Sequence, residues 1–241
     1  MNAIEANSLT KDYGTNRALD KLTLTIHDGE LFALLGVNGA GKTTAIKLLS
    51  CLMAPTCGNA AIYGYDIITE SHQARSVLAT SPQETAVAPN LSARENLELM
   101  AGIYGSSRKE AKEKATEMIQ RFNLSSIEKT KARKLSGGWQ RRLSIAMALI
   151  SEPKLLFLDE PTLGLDILAR RELWTIIRQL KGKTTIILTT HYLEEAEALS
   201  DRIGILTHGK LVALGTAQEL IAQSGAKNFE DAFITLAGGV I

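Results

Sequence analysis

Cysteine is scarce: Cys51 and Cys57 are the two in 241 residues. Six positions apart with no histidine nearby, they make neither a disulfide framework nor a metal-ligand pattern, and they fit a reducing compartment. An excess of charge is also missing. With 27 basic and 26 acidic residues the formal net charge is +1, which excludes a polyanion-binding surface built by bulk charge. No apolar run approaches the ~20 residues that cross a bilayer. The longest, around 31–35, 155–158 and 186–188, are strand-sized. The opening Met-Asn-Ala-Ile-Glu-Ala-Asn lacks a basic flank followed by an apolar block, so no signal peptide is expected. Internal repeats and low-complexity linkers are absent as well. The expectation is a soluble cytoplasmic chain, with any membrane-embedded part supplied by another polypeptide.

What is present is an ordinary globular composition, 45% hydrophobic and 22% charged. The length suits one large α/β domain and is short for two. Leu22, Leu24 and Ile26 alternate with threonines, the pattern of a half-buried strand. Leu31–Leu35 is apolar throughout, as in a strand covered on both faces. The middle of the chain reads as helical. Ser92 and Glu95 form a capping box before a helix with Leu97, Met100 and Tyr104 on one face. From Arg108 to Phe122 an apolar stripe of Ala111, Ala115, Met118, Ile119 and Phe122 is expected, with Glu110–Lys114 and Glu117–Arg121 pairs on the wet side. A third helix is expected from about Trp139 to Ile150. Strand and helix then alternate: strands at 155–158, 184–190 and 203–206, helices at 167–180 and 193–199. That order implies a parallel sheet. Thr207-His208-Gly209-Lys210 reads as a hairpin turn, and Thr216 with Glu219 caps a short helix.

The strongest chemical signal is Gly36-Val37-Asn38-Gly39-Ala40-Gly41-Lys42-Thr43, between a buried strand and an amphipathic segment. It fits the phosphate-binding loop G-x-x-x-x-G-K-[ST]. Glycines let backbone N–H groups curl around phosphate oxygens, and the following helix presents its positive end. Lys42 can reach β and γ phosphates, and the Thr43 hydroxyl can ligate Mg²⁺. A chance match in a chain this long is on the order of one per cent. Gly36, Asn38, Gly39, Ala40, Gly41, Lys42, Thr43 and Thr44 are therefore the candidate phosphate-binding set. Leu155–Leu158 runs into Asp159-Glu160. Asp159 can hold a Mg²⁺ shell, and Glu160 stands where a carboxylate can orient and polarise an attacking water. Lys42 and Glu160 are the candidate catalytic pair. To this point the reading is a P-loop NTPase.

Leu135-Ser136-Gly137-Gly138-Trp139-Gln140 narrows it. Ser-Gly-Gly opening a helix is a second anion cup, with a hydroxyl, unobstructed N–H groups and a dipole end. This segment resembles the Leu-Ser-Gly-Gly-Gln signature of ATP-binding-cassette (ABC) ATPases. The resemblance implies two cassettes paired head to tail, with ATP on one cassette's Lys42 meeting Ser136, Gly137 and Gly138 of the other. It also implies that Tyr13 stacks on adenine and that Gln83 senses Mg²⁺ and links to the helical insertion. Leu163-Gly164-Leu165-Asp166 would cross the dimer interface, bringing Asp166 to the nucleotide, and His191 would contact γ-phosphate. The metal set would be Thr43, Gln83 and Asp159, and the cofactors ATP and Mg²⁺. Two positions depart from the pattern: Trp139 stands where Gln is usual, and Leu163 where a small or polar residue is common.

The implied fold is a single cassette over residues 1–241. It has a mixed, largely parallel sheet, an N-terminal antiparallel β subdomain and a helical subdomain inserted at roughly 84–153. The segment 81–101 and the tail 228–233 resemble cassettes of the drug, antibiotic and polymer exporter branch. The implied partners are a separate transmembrane permease, docked in the groove beside the Gln83 loop, and a second cassette. The implied place is the cytoplasmic face of the membrane. An importer cassette would often carry an extra C-terminal domain. A ribosome-directed cassette usually fuses two copies, and a DNA-organising one needs a coiled coil or large insertion. No nucleic-acid partner is expected, since the chain has no basic tract.

Overall fold

The computed structural model describes residues 1–238; positions 239–241 of the expected cassette lie outside the described residues. Strands β1 (Asn2–Tyr13), β2 (Asn16–His27), β4 (Cys57–Ile62) and β5 (Tyr65–Asp66) form an antiparallel sheet in the order β2-β1-β4-β5. A second sheet holds β3 (Leu31–Leu35), β6 (Leu78–Ser81), β7 (Leu155–Asp159), β8 (Thr185–Thr190), β9 (Arg202–Thr207) and β10 (Lys210–Gly215). Its order is β10-β9-β3-β8-β7-β6, and every pairing is parallel except β10 with β9.

Helix α1 (Lys42–Leu49) follows β3, and α2 (Ser71–Ser76) precedes β6. Helices α3 (Ala93–Ile103), α4 (Arg108–Arg121) and α5 (Gly137–Leu149) lie between β6 and β7. Helix α6 (Ile167–Leu180) joins β7 to β8, α7 (Leu193–Leu199) joins β8 to β9, and α8 (Ala217–Ser224) and α9 (Phe229–Leu236) follow β10.

The second sheet is apolar on both faces because it divides two cores. Alternate side chains of a strand point to opposite faces. Phe32, Leu34, Leu155, Phe157 and Ile187 join α1 and the antiparallel sheet in one cluster. Leu31, Ala33, Leu35, Leu156, Leu158, Ile186 and Leu188 join helices α3 to α7 in the other. Thus α1 is clamped between two sheets, and the loop before it is held from both sides. The expected hairpin forms: His208 (φ 48°) and Gly209 (φ 77°) are the two left-handed residues of a tight turn.

Local chemistry sets the helix starts. Ser92 with Glu95, Ser107 with Glu110, and Thr216 with Glu219 form capping boxes. Each cap contributes about 1 kcal/mol. Three expectations need correction. Tyr104 does not share the buried face of α3; it is 52% exposed, and Ala93, Asn96, Leu97 and Ala101 are the buried residues. The Glu110–Lys114 and Glu117–Arg121 pairs are not formed. Glu110 accepts the Ser107 amide at 2.7 Å, and Lys114 pairs instead with Glu152 at 3.0 Å. Helix α5 begins at Gly137 rather than Trp139, because Ser136 is its N-cap and both glycines lie inside its first turn.

Candidate functional site

Parallel strands deliver chemistry at their carboxyl ends. β3 runs into Gly36–Gly41, β6 into Pro82-Gln83, β7 into Asp159-Glu160 and β8 into His191. The register sets Leu35 opposite Thr190 and Asp159 opposite Thr189, so these ends share one edge of the sheet. They border a cleft of about 570 Å³ whose lining includes Asn38, Gly39, Ala40, Gly41, Lys42, Thr43, Thr44, Gln83, Glu160 and His191.

The loop of the cleft is shaped by close backbone approaches. A Cβ on Gly36 would stand 2.4 Å from the Leu206 carbonyl oxygen, and one on Gly41 2.5 Å from that of Ala18. Gly41 also caps α1 in the left-handed region at φ 106° with no side-chain bond. The first amides of α1 therefore face the cleft unobstructed, an anion-binding terminus. The β9–β10 turn braces the loop: the Gly209 amide donates to the Ala40 carbonyl at 2.9 Å.

Lys42 is buried, and its ammonium donates to the Gly36 carbonyl at 2.7 Å and the Val37 carbonyl at 3.2 Å. It also pairs with Glu160 Oε1 at 3.2 Å. The other oxygen, Oε2, meets His191 Nδ1 at 2.8 Å. Lys42, Glu160 and His191 thus form one chain across the cleft. Glu160 itself has a left-handed backbone, φ 48°. Its amide donates to the Thr189 hydroxyl at 3.1 Å, and that hydroxyl donates to Asp159 Oδ1 at 2.6 Å. One threonine therefore holds the Asp159 carboxylate and the Glu160 backbone. The Thr43 hydroxyl donates to the same Asp159 oxygen at 3.3 Å. A hydroxyl and a carboxylate converging beside a phosphate loop are the hard oxygen donors that Mg²⁺ takes together with substrate phosphates. No group of three or more His, Cys, Asp or Glu that could by itself hold a metal ion is present among the described residues.

Behind this chain is a second polar layer. Glu195 is fully buried. It accepts from Trp174 Nε1 at 3.0 Å and lies beside the Thr162 and Thr190 hydroxyls. Its Oε2 has no well-aligned hydrogen bond. Burial, reinforced by the charge of Glu160, pushes its carboxyl above the usual range.

Other expected residues stand apart from the cleft. Ser136, exposed, caps α5 without using its hydroxyl on the helix, so that hydroxyl and the amides of Gly137 and Gly138 are free. Asp166 caps α6 by accepting the Ala169 amide at 2.9 Å. None of these four borders the cleft. Tyr13 stands exposed at the end of β1, its hydroxyl on Met53 Sδ at 3.0 Å, also outside the lining. Trp139 is partly buried against the helical core and carries the Arg142 guanidinium 4.7 Å from its ring centroid. Leu163 borders the cleft directly. Asn16, Arg17, His208 and Gly209 border it too. They lie at the start of β2 and in the β9–β10 turn, two places distant in sequence, with no local pattern that could reveal them.

Residues 19–163 match the ABC transporter family. A daunorubicin resistance ATP-binding protein, DrrA3 of Streptomyces coeruleorubidus, is 41% identical over 229 residues, spanning 95% of this chain and 72% of that protein. A solved ATP-binding subunit of an ABC transporter superposes with a TM-score of 0.86 at 32% identity, covering 97% of this chain and 99% of that one. A dimeric cassette, MJ0796, solved after hydrolysis with ADP and phosphate, superposes at 0.80 with 27% identity over 88% of this chain and 98% of that one. The family match over residues 19–163 and the 41% identical relative agree with this geometry: the chain belongs to the ABC transporter family and carries its ATP-binding domain.

Proposed function

We propose that this chain hydrolyses ATP to ADP and phosphate and drives export of a small molecule through a separate membrane subunit. The observation that carries the hydrolytic reading is the Lys42–Glu160–His191 chain, with Glu160 Oε1 3.2 Å from Lys42 and Oε2 2.8 Å from His191. Lys42, the loop amides and Thr44 would bind the phosphates, and Tyr13 would stack on adenine. Thr43, Asp159 and Gln83 would hold Mg²⁺, whose contribution when bound is to neutralise charge on the phosphate oxygens. Glu160 would orient and polarise the attacking water, and His191 would contact the γ-phosphate and fix the Glu160 carboxylate.

Ser136, Gly137, Gly138 and Asp166 lie outside the cleft, which favours their use on the nucleotide of a second copy, as in a head-to-tail dimer. Two faces can close on a triphosphate if both supply positive potential, and each helix N-terminus is equivalent to roughly half a charge. Loss of γ-phosphate would remove the bridge, and the faces would part. No helix among the described residues is long and apolar enough to cross a membrane; in this reading a separate membrane subunit supplies the path. The exporter assignment follows the daunorubicin-resistance relative. A shallow groove on α3 and α4, lined by Leu91, Leu99, Ile103 and Ala111 with Glu95 and Glu98 at hand, suits a short helix of the membrane subunit.

The test is size-exclusion chromatography with Mg-ATP, alongside phosphate release. Glu160→Gln should elute as an ATP-dependent dimer with turnover strongly reduced. Ser136→Arg should bind ATP as a monomer and remain monomeric. Wild-type turnover in Glu160→Gln, or a dimer in Ser136→Arg, would refute the reading.

A further inference from the structure

We infer that Lys11 is a positioning residue for the base: it backs the Tyr13 ring from one side and fixes the platform on which adenine stacks. The inference rests on the proposed function above, in which Tyr13 takes the base. Tyr13 ends β1 and is 45% exposed. A ring so placed rotates unless something holds it, and a rotating ring loses entropy when a ligand fixes it. Two contacts hold this one. The Lys11 ammonium stands 5.5 Å from the ring centroid, within the range of cation–ring attraction. The Tyr13 hydroxyl donates to Met53 Sδ at 3.0 Å. With the hydroxyl pinned and a cation on one face, the opposite face is the one left for a base. The cation draws the negative charge of the ring toward itself, which makes that opposite face more receptive to an electron-rich purine.

The anchor for both contacts is the loop that follows α1. Lys11 Nζ donates to the Ala54 carbonyl at 2.8 Å, so the ammonium is itself held in place. Cys51 turns the chain with a left-handed backbone, φ 57°. The Leu52 and Met53 amides then donate to the Lys47 carbonyl of α1 at 2.9 and 3.1 Å. The loop is stitched to β1 as well. The Asp12 amide donates to the Thr56 hydroxyl at 2.9 Å, and the Thr56 amide to the Thr10 carbonyl at 2.8 Å. The helix whose first amides face the cleft therefore ends at the mount of Tyr13. Its eight residues span about 12 Å and set the spacing between phosphate loop and base platform. Lys11 is not part of the cleft lining, so its effect on the nucleotide is carried by the ring.

The experiment measures equilibrium binding of ATP and of inorganic tripolyphosphate, which has the phosphates without the base. The full chain is used without divalent metal, so nothing turns over. Tyr13→Ala should lower ATP affinity by about 5- to 100-fold, the range for losing one base–aromatic stack. Lys11→Met keeps the apolar stem and removes the charge and the Ala54 bond; it should lower ATP affinity by about 3- to 10-fold. Lys11→Arg, which keeps a cation and a donor, should recover most of that loss. Tripolyphosphate affinity should stay within about twofold of wild type in all three. In a Tyr13→Ala background, Lys11→Met should cost less than about twofold more, because the lysine acts through the missing ring. A residue that only stabilises the fold would weaken both ligands together and would cost as much with Tyr13 absent.

Wild-type ATP affinity in Lys11→Met would overturn the inference. So would an equal loss for tripolyphosphate, or a loss that persists in full without Tyr13. If Lys11→Met does not fold, Lys11→Gln decides on the same readings. A wild-type chain that binds no ATP, or a Tyr13→Ala variant that binds it as wild type does, would instead refute the nucleotide-binding roles proposed above.

Discussion

Replacing Glu160 by glutamine should make the empty protein less stable and the ATP-bound protein more tightly held. The reason lies in the ion pair of the empty cleft. Lys42 and Glu160 are 3.2 Å apart, with both side chains less than a tenth exposed. Removing one partner of a buried pair costs about 3–5 kcal/mol when the other charge is left alone. Here Lys42 keeps two carbonyl acceptors, at 2.7 and 3.2 Å, and glutamine keeps an acceptor oxygen. The expected cost is therefore nearer about 2 kcal/mol. In a chain of this size that lowers the unfolding temperature by about 4–8 °C. In the proposed site, ATP would draw the ammonium away from the same carboxylate and have to tolerate its negative charge. The variant omits that work, so its affinity should rise by about 10- to 30-fold, the equivalent of up to about 2 kcal/mol. Thermal unfolding over an ATP titration, without divalent metal and at low protein concentration, reads both quantities without turnover or dimerisation. An empty variant as stable as wild type with unchanged ATP affinity would refute this account of the Lys42–Glu160 pair.

Two further outcomes are expected. Gly41→Ala would force a Cβ to 2.5 Å from the Ala18 carbonyl at a residue with φ 106°. It should destabilise by about 3 kcal/mol or more and lower the urea midpoint, and an unchanged midpoint would disprove the clash. Glu195 has a carboxyl pKa raised by burial above its ordinary value of 4.5. The folded state therefore binds its proton more readily than the unfolded chain, and stability falls as pH rises from about 4.5 through the folded value. Glu195→Gln removes that loss. Its melting-temperature gain over wild type should be small near the unfolded pKa and larger at about pH 8; a gain independent of pH would contradict the buried-carboxyl reading.

Most of the architecture was legible in the residues, for reasons that differ by element. Leu31–Leu35 and Leu155–Leu158 declared themselves because a strand buried on both faces has no polar alternation to hide it. The phosphate loop was legible because Gly36 and Gly41 answer to backbone oxygens that allow no side chain. The Ser92 and Thr216 caps followed from spacing alone. The start of α5 was read two residues late because glycine argues against helix, whereas the Ser136 cap and its tertiary packing override that preference. Tyr104 was assigned to a buried face on periodicity, but the helix leaves that flank to solvent. Glu110 was expected to pair with Lys114 and instead serves the cap. Long-range partners left no trace in the chain. Nothing around Arg141 points to its acceptors, the Pro82 and Gln83 carbonyls, and nothing around His208 points to the cleft.

The Thr189 hydroxyl limits what the second-last residue of β8 can be. It gives its single hydrogen to Asp159 and receives the Glu160 amide. Valine would match the shape of threonine and abolish both bonds, releasing the Asp159 carboxylate from β8, whereas the Glu160 amide would keep the residue's carbonyl at 3.2 Å. Serine would retain the bonds and leave a methyl-sized gap in a fully buried strand. Tolerance at this position is therefore dictated by a neighbouring strand's chemistry, although the residue itself is not part of the cleft lining.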